Sequence, residues 1–174
     1  MGLPEIKIIF ETKGLSAIER SERGIVAVIL KDDTEGGQPV SIYKSILDVD
    51  FSQFTQRNYE YLKLLYEGGP YKVIVVKVPT NVESLSPWLK KLRDLKWNYL
   101  TVPGITDDEK TLVSAWIKEE REKDHKTFKA VLPECAADHE GIINLTTGNI
   151  KSTLGGEAFS TAEYCARIAG VLAG

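Results

Sequence analysis

Residues 24 to 31, Gly-Ile-Val-Ala-Val-Ile-Leu-Lys, form an unbroken apolar and largely β-branched run that ends at a lysine. A strand wet on one face alternates polar with apolar residues, so a run apolar at every position reads as a strand covered on both faces. The rest of the chain has to supply that cover. From residue 72 onward it alternates in a way that does: strand 72 to 78, helix 87 to 96, strand 98 to 102, helix 107 to 124 and strand 128 to 132. Alternation of this kind predicts an α/β fold with a largely parallel sheet and flanking helices.

The helix ends carry their own signals. Residues 55 to 67 predict a helix with Tyr59, Leu62, Leu65 and Tyr66 on one face, ended by Gly68-Gly69-Pro70. Ser86 before Pro87 reads as an N-cap followed by an N1 proline, and Thr106-Asp107-Asp108-Glu109 reads as a capping box with extra acid at the positive end of the helix dipole. In the helix that follows, Leu112, Val113, Trp116 and Ile117 form the apolar stripe. A second capping box, Ser160-Thr161-Ala162-Glu163, opens a final helix predicted to bury Tyr164, Cys165, Ile168, Ala169 and Leu172. Weaker strand signals lie around Val40 to Tyr43, and Asp32 to Gly37 reads as a turn or exposed loop.

Ahead of this core, residues 5 to 11 show strand alternation. Ile6, Ile8 and Phe10 share one face, while Glu5, Lys7 and Glu11 share the other with Ile9. Thr12-Lys13-Gly14 interrupts the pattern, which divides the chain into an N-terminal arm, 1 to 13, and an α/β domain, 14 to 174. The last residues, Val-Leu-Ala-Gly, stop within an apolar small-residue pattern.

In a doubly wound sheet, ligands bind at the carboxyl ends of the strands. Three of those junctions begin with proline: Pro79, Pro103 and Pro133. Proline removes an N–H where a phosphate loop needs several, and neither GxGxxG nor a Walker A sequence occurs. Asp107, Asp108 and Glu109 could ligate Mg²⁺, but helix capping explains their position. Cys135, Asp138, His139 and Glu140 lie close together, yet closeness in sequence does not make a catalytic pair. His125 sits at a helix end, and no His or Cys set has metal-ligand spacing. No catalytic residue, cofactor site or metal site is therefore assigned. The competing reading is a small α/β enzyme or nucleotide- or metal-binding domain that uses the loops after Pro79, Pro103 and Pro133.

With 22 Lys and Arg against 25 Asp and Glu, the net charge is −3, the wrong sign for a nucleic-acid binder without a basic aromatic patch. Cys135 and Cys165 read as reduced core thiols. The first residues have no signal-peptide pattern, and no apolar run approaches the ~18 residues of a membrane span.

Several segments, taken in order, resemble the contractile tail sheath proteins of phages, tail-like bacteriocins and defective prophages. They are Gly-Ile-Val-Ala-Val-Ile-Leu at 24 to 30, Val-Pro-Gly at 102 to 104 before the acidic capping box, Ala-Trp-Ile-Lys at 115 to 118, and Phe-Lys-Ala-Val-Leu at 128 to 132. Asp-His-Glu-Gly-Ile-Ile-Asn at 138 to 144 and the ending Ala-Arg-Ile-Ala-Gly-Val-Leu-Ala-Gly complete the set. The resemblance implies a subtilisin-like sheath domain without protease chemistry, and, since sheath proteins of this kind continue past the Ala-Gly-Val-Leu-Ala-Gly helix, one expected to be truncated at its C-terminal end and without the C-terminal domain. It also implies a structural subunit that polymerises around an inner tube and contracts, with no cofactor. Its partners would be copies of itself, the tail tube and the baseplate, with no nucleic acid or membrane anchor. Its place would be a phage or phage-like tail made in a bacterial host cytoplasm. The resemblance gives Ile6, Ile8 and Phe10 a role as the interface face of an arm strand added to a neighbouring subunit.

Overall fold

The computed structural model describes residues 24–148, 150–151 and 158–174. The arm, with Ile6, Ile8 and Phe10, lies outside the described residues. In chain order the elements are β1 (Ile25–Lys31), β2 (Val40–Tyr43), α1 (Gln56–Tyr66), β3 (Lys72–Val78), α2 (Ser86–Arg93), β4 (Tyr99–Thr101), α3 (Asp107–Asp124), β5 (Lys129–Pro133), β6 (Ile142–Leu145) and α4 (Thr161–Ala173). Two short 3-10 turns, Ile46–Asp48 and Phe51–Gln53, lie between β2 and α1.

The six strands form one sheet in the order β2-β3-β1-β4-β5-β6. All neighbours are parallel except β2, which runs antiparallel to β3 at the sheet edge. β1 is interior, flanked by β3 and β4, and its residues from Ile25 to Leu30 are all buried. Ile25, Ala27 and Ile29 point to one layer, packing with Leu89 and Leu92 of α2 and Val113 and Ile117 of α3. Val26, Val28 and Leu30 point to the other, with Leu62 and Leu65 of α1 and Cys165, Ala166 and Ala169 of α4. The continuous apolar run thus has the double cover it requires. Each fully buried aliphatic side chain in it contributes roughly 1.5–3 kcal/mol.

Both capping boxes form. Thr106 accepts from the Glu109 N–H while Glu109 accepts from the Thr106 N–H, and Ser160 and Glu163 do the same at α4. The acids at Asp107 to Glu109 therefore sit in the first turn of α3, where dipole and orphan N–H groups favour them. Ser86 departs from expectation: it is the first residue of α2, Leu85 holds the cap position without a side-chain cap bond, and α2 ends at Arg93. The Ser84 hydroxyl instead accepts from the Ser86 N–H at 3.2 Å. β6 was not expected from the sequence: it is four residues long, with Ile142, Ile143 and Leu145 half-buried and Asn144 exposed, which is too short for a clear alternation.

The buried stripe of α4 is also rotated from the one expected. Cys165, Ala166, Ala169, Gly170 and Ala173 are buried, whereas Leu172 is 42% exposed and Val171 52%. Backbone proximity to α1 is the reason. A Cβ placed on Gly170 would stand 2.1 Å from the Leu65 carbonyl oxygen, and one on Gly68 2.1 Å from the Gly170 carbonyl carbon. Only small residues fit a contact this close, so bulk is turned outward. Within the Gly68-Gly69-Pro70 stop, Gly69 takes the left-handed conformation, with φ of 81°, and Gly68 is the packing glycine.

Gly170→Ala sets two effects against each other. Helix propensity alone favours alanine by up to about 1 kcal/mol. The clash is with backbone that cannot rotate away, so overpacking should win, with unfolding free energy falling by about 1–3 kcal/mol in urea denaturation. A stabilised variant would show that α1 and α4 do not meet backbone to backbone.

Candidate functional site

Connections from β1 run to one side of the sheet and those from β4 to the other, so the crevice beyond the carboxyl ends of β1 and β4 is where a doubly wound fold would hold a ligand. Here the chain fills that crevice itself. Lys31, the last residue of β1, reaches across to Glu109 in the first turn of α3, with Nζ 2.7 Å from Oε2. Both side chains are largely buried, at 18% and 14% exposure. Burial alone would raise the Glu109 pKa, but the bonds from Lys31 and from the Thr106 N–H outweigh it and hold the carboxyl below its ordinary value.

The next residue, Asp32, was expected in an exposed loop and is instead 3% exposed. Its Oδ2 accepts from the Asn58 Nδ2 at 2.7 Å and from the Thr55 N–H at 2.8 Å, and its Oδ1 accepts from the Thr34 N–H at 2.9 Å. Asn58 also donates to the Lys31 carbonyl at 2.9 Å, which explains why a polar residue is buried on α1. Desolvation pushes the Asp32 pKa up, and the hydrogen bonds from Asn58, Thr34 and Thr55 more than offset it, bringing it down to about 2. Asp33 accepts from the Thr80 N–H at 3.0 Å, and the Lys77 ammonium donates to the carbonyls of Thr34, Gly36 and Gln53. These groups lock the loops after β1 and β3 together. Sequence pattern gave little hint of this beyond an Asp and a Thr two residues apart, which is Asx-turn spacing.

The proline junctions lie where expected, although Pro133 is still within β5. The cluster after it is divided among local roles. The Cys135 N–H donates to Asn144 Oδ1 at 2.8 Å, His139 Nδ1 accepts from the Gly141 N–H at 3.0 Å, and Glu140 pairs with Arg121. His139 Nε2 lies 3.9 Å from Glu122 Oε1. His125 closes α3 in the left-handed conformation, with φ of 51°. Among the described residues, no three His, Cys, Asp or Glu side chains converge on a metal-sized site. Cys165 is buried and its thiol is pushed up to about 12, while Cys135 is partly exposed and also free.

A second lock joins the two helices on the other layer. Arg57 of α1 grips Glu163 of α4 with Nε 3.0 Å from Oε1 and Nη2 3.1 Å from Oε2, and its guanidinium lies 4.5 Å from the Phe159 ring centroid. Tyr61 donates its hydroxyl to the same carboxylate. Burial raises the Glu163 pKa, but the bonds from Arg57, Tyr61 and Ser160 exceed that and bring it to about 2.

Two open concavities among the described residues lie away from the carboxyl ends of the strands. One, of about 400 Å³, runs between α2 and α3 beside Trp116, Arg93 and the buried Glu120. Another, of about 350 Å³, lies at the amino ends of β4 and β5. Exposed apolar side chains stand at Ile42 on the edge strand, Leu47 and Phe51 beyond it, and Val171 and Leu172 on α4. The features most available for contact are thus surfaces.

No family model matches the chain. A curated relative does: the tail sheath protein of Clostridium phage phiCD119, strain Clostridium difficile/United States/Govind/2006, is 34% identical over 183 aligned positions that take in 99% of this chain and 48% of the relative. The chain is a homologue of the tail sheath proteins. It spans about half the length of the sheath protein it matches. Solved structures agree on the fold. The sheath tail protein of Desulfitobacterium hafniense superimposes with a TM-score of 0.70 at 14% identity, covering 98% of this chain and 62% of the other. That of Listeria innocua gives 0.73 at 14%, over 91% and 59%. The helical sheath of the anti-feeding prophage, solved in its contracted state, gives 0.57 at 11%, over 99% and 52%. The sheath fold here therefore carries its crevice closed by Lys31 and Glu109.

The depressed acids predict an acid-labile domain. A carboxyl whose folded pKa lies below its unfolded value stabilises fully above the unfolded value and loses that contribution as pH falls through the folded one. With ordinary values of 3.8 and 4.5 and folded values of about 2, Asp32 and Glu163 place the loss between about pH 4.5 and pH 2. Asp32→Ala should flatten that dependence and cost about 1–3 kcal/mol at pH 7, because the buried Asn58 amide and the Thr55 N–H lose their acceptor. Urea titrations across this pH range check both; an unchanged slope would show that Asp32 does not titrate with folding.

Proposed function

We propose that this chain supplies a structural subunit of a contractile tail sheath, which polymerises around an inner tube and contracts to drive that tube through a cell envelope. The observation that carries this reading is the 34% identity with a tail sheath protein along 99% of the chain. Internal geometry supports it. A domain with two packed layers and loops tied by Asp32, Lys77 and Arg57 suits a rigid body moved as a unit. In such a machine the stored energy is a difference between two sets of subunit contacts, held by a kinetic barrier, and no cofactor is required.

Tail tube and baseplate proteins are the further partners this role implies, with the particle tail as its location after synthesis in a bacterial host cytoplasm. The enzymatic reading at Pro79, Pro103 and Pro133 is not favoured, because Lys31 and Glu109 occupy the crevice it needs. The arm strand with Ile6, Ile8 and Phe10 remains the proposed contact to a neighbouring subunit.

Electron microscopy of the purified protein across concentration and salt is expected to show rings, helical tubes or polysheaths. Persistent monomers under every condition would overturn the reading. Ile8→Asp is expected to lower assembly at least tenfold with the melting temperature unchanged, since one alternate face of the arm would then carry a charge. Normal tubes from that variant would remove the arm from the mechanism.

A further inference from the structure

Charge is divided between the two ends of the sheet. Topology brings the loops after β1, β3, β4 and β5 to the carboxyl edge, and with them the exposed carboxylates of Asp33, Glu35, Glu83, Asp107, Asp108 and Glu134. The cations on that edge are engaged internally: Lys31 by Glu109, Lys110 by Asp107, and Lys77 by three backbone carbonyls. The carboxyl edge therefore presents an acidic rim with its lysines already committed.

The amino edge has the opposite character. The groove of about 350 Å³ there is formed by the turn entering β4 and the turn entering β5, and Lys96 and Lys126 both line it. Its wall is the Trp97–Phe128 pair, stacked at 3.9 Å between centroids, which fixes the two turns side by side. Arg93 on the same rim is held by Asp124 at 2.5 Å and by Glu120 at 3.0 Å, and Asp94 is the remaining acid lining the groove. Among the described residues no ion pair engages Lys96 or Lys126. Lys72 and Lys129, the first residues of β3 and β5, add to the same edge.

We propose that the amino-edge groove receives the acidic carboxyl edge of a second copy of this chain, so that copies stack head to tail along the strand direction. The inference rests on the self-association proposed above and adds its polarity. Charge complementarity names the occupant: the groove is flanked by Lys96 and by Lys126, whose ammonium lies over the Phe128 ring, and among the described residues neither is in an ion pair, so the surface that fits is one the chain itself carries at its opposite end. A contact between two different patches of one molecule is heterologous, and repeated it generates rings or open helices rather than closed pairs. Exposed ion pairs hold little by themselves, so their effect lies in orientation and association rate, with affinity supplied by other surfaces.

The test uses charge reversal at positions outside the locks and outside the helix N-termini, of which Lys126 is half-buried beside Phe128 and the others are exposed. Lys96→Glu/Lys126→Glu and, separately, Glu35→Lys/Glu83→Lys should each slow assembly at least tenfold at about 0.02 M salt, followed by light scattering and electron microscopy. The difference from the unaltered protein should shrink toward 0.5 M salt, where screening shortens to a few ångströms. A mixture of the two variants, or one chain carrying all four changes, should recover the rate, because every reversed groove then meets a reversed edge. Circular dichroism and melting temperature should stay unchanged throughout. If the unaltered protein assembles and the variants match it, or if the four-change chain fails to recover, the head-to-tail contact is wrong while the sheath reading stands. If the unaltered protein never assembles, both fall.

Discussion

The two-sided burial of β1 is the constraint on which the remainder of this domain depends. Residues 25 to 30 present apolar side chains to both layers, and none reaches more than 8% exposure. One helix layer would leave half of them in water, at roughly 1.5–3 kcal/mol for each side chain not buried. Helices must therefore lie on both faces. Parallel pairing with β3 and β4 supplies them, because each parallel connection has to cross over a face. α2 and α3 cover one side and α1 and α4 the other.

The double cover has a consequence at the carboxyl end of β1. Where the strand emerges from between its layers, the polar chain that follows is still partly enclosed, and its groups must find partners. Asp32 meets Asn58, Thr55 and Thr34, and Lys31 meets Glu109. The same residues that satisfy burial also occupy the crevice between the carboxyl ends of β1 and β4. Arg57, Tyr61 and Glu163 do for α1 and α4 what Asp32 does for the loops.

Much of the fold was legible in the chain. β1, β3, β5 and α3 follow from apolar runs and a capping box, and these signals are local: alternation, β-branching and Thr-x-x-Glu spacing need no knowledge of neighbours. The misread positions are those decided by another element. Leu172 was assigned to the core on bulk, but the close approach of Leu65 and Gly170 reserves that face for glycine and alanine. Asp32 was assigned to a loop on polarity, but Asn58, 26 residues away, accounts for its burial. Ser86 was assigned to a cap on residue type, and the helix began one residue sooner. As to the site, the absence of nucleotide motifs was readable. The ion pair that closes the crevice was not, since Lys31 and Glu109 are 78 residues apart.

In the sheath role proposed for this chain, the division between inside and outside has mechanical meaning. The interior is held by buried side chains worth roughly 1.5–3 kcal/mol apiece and by the carboxylates of Asp32 and Glu163, each tied to several partners at once. Surface charges such as Lys96 and Asp108 contribute at most about 1 kcal/mol per pair and are exchangeable with water and salt. A lattice built from such contacts can change one set of neighbours for another without disturbing the subunit. Under that proposal the structural switch belongs between copies, where interactions are individually weak and numerous, and the cross-tied domain is the rigid part through which their sum is transmitted.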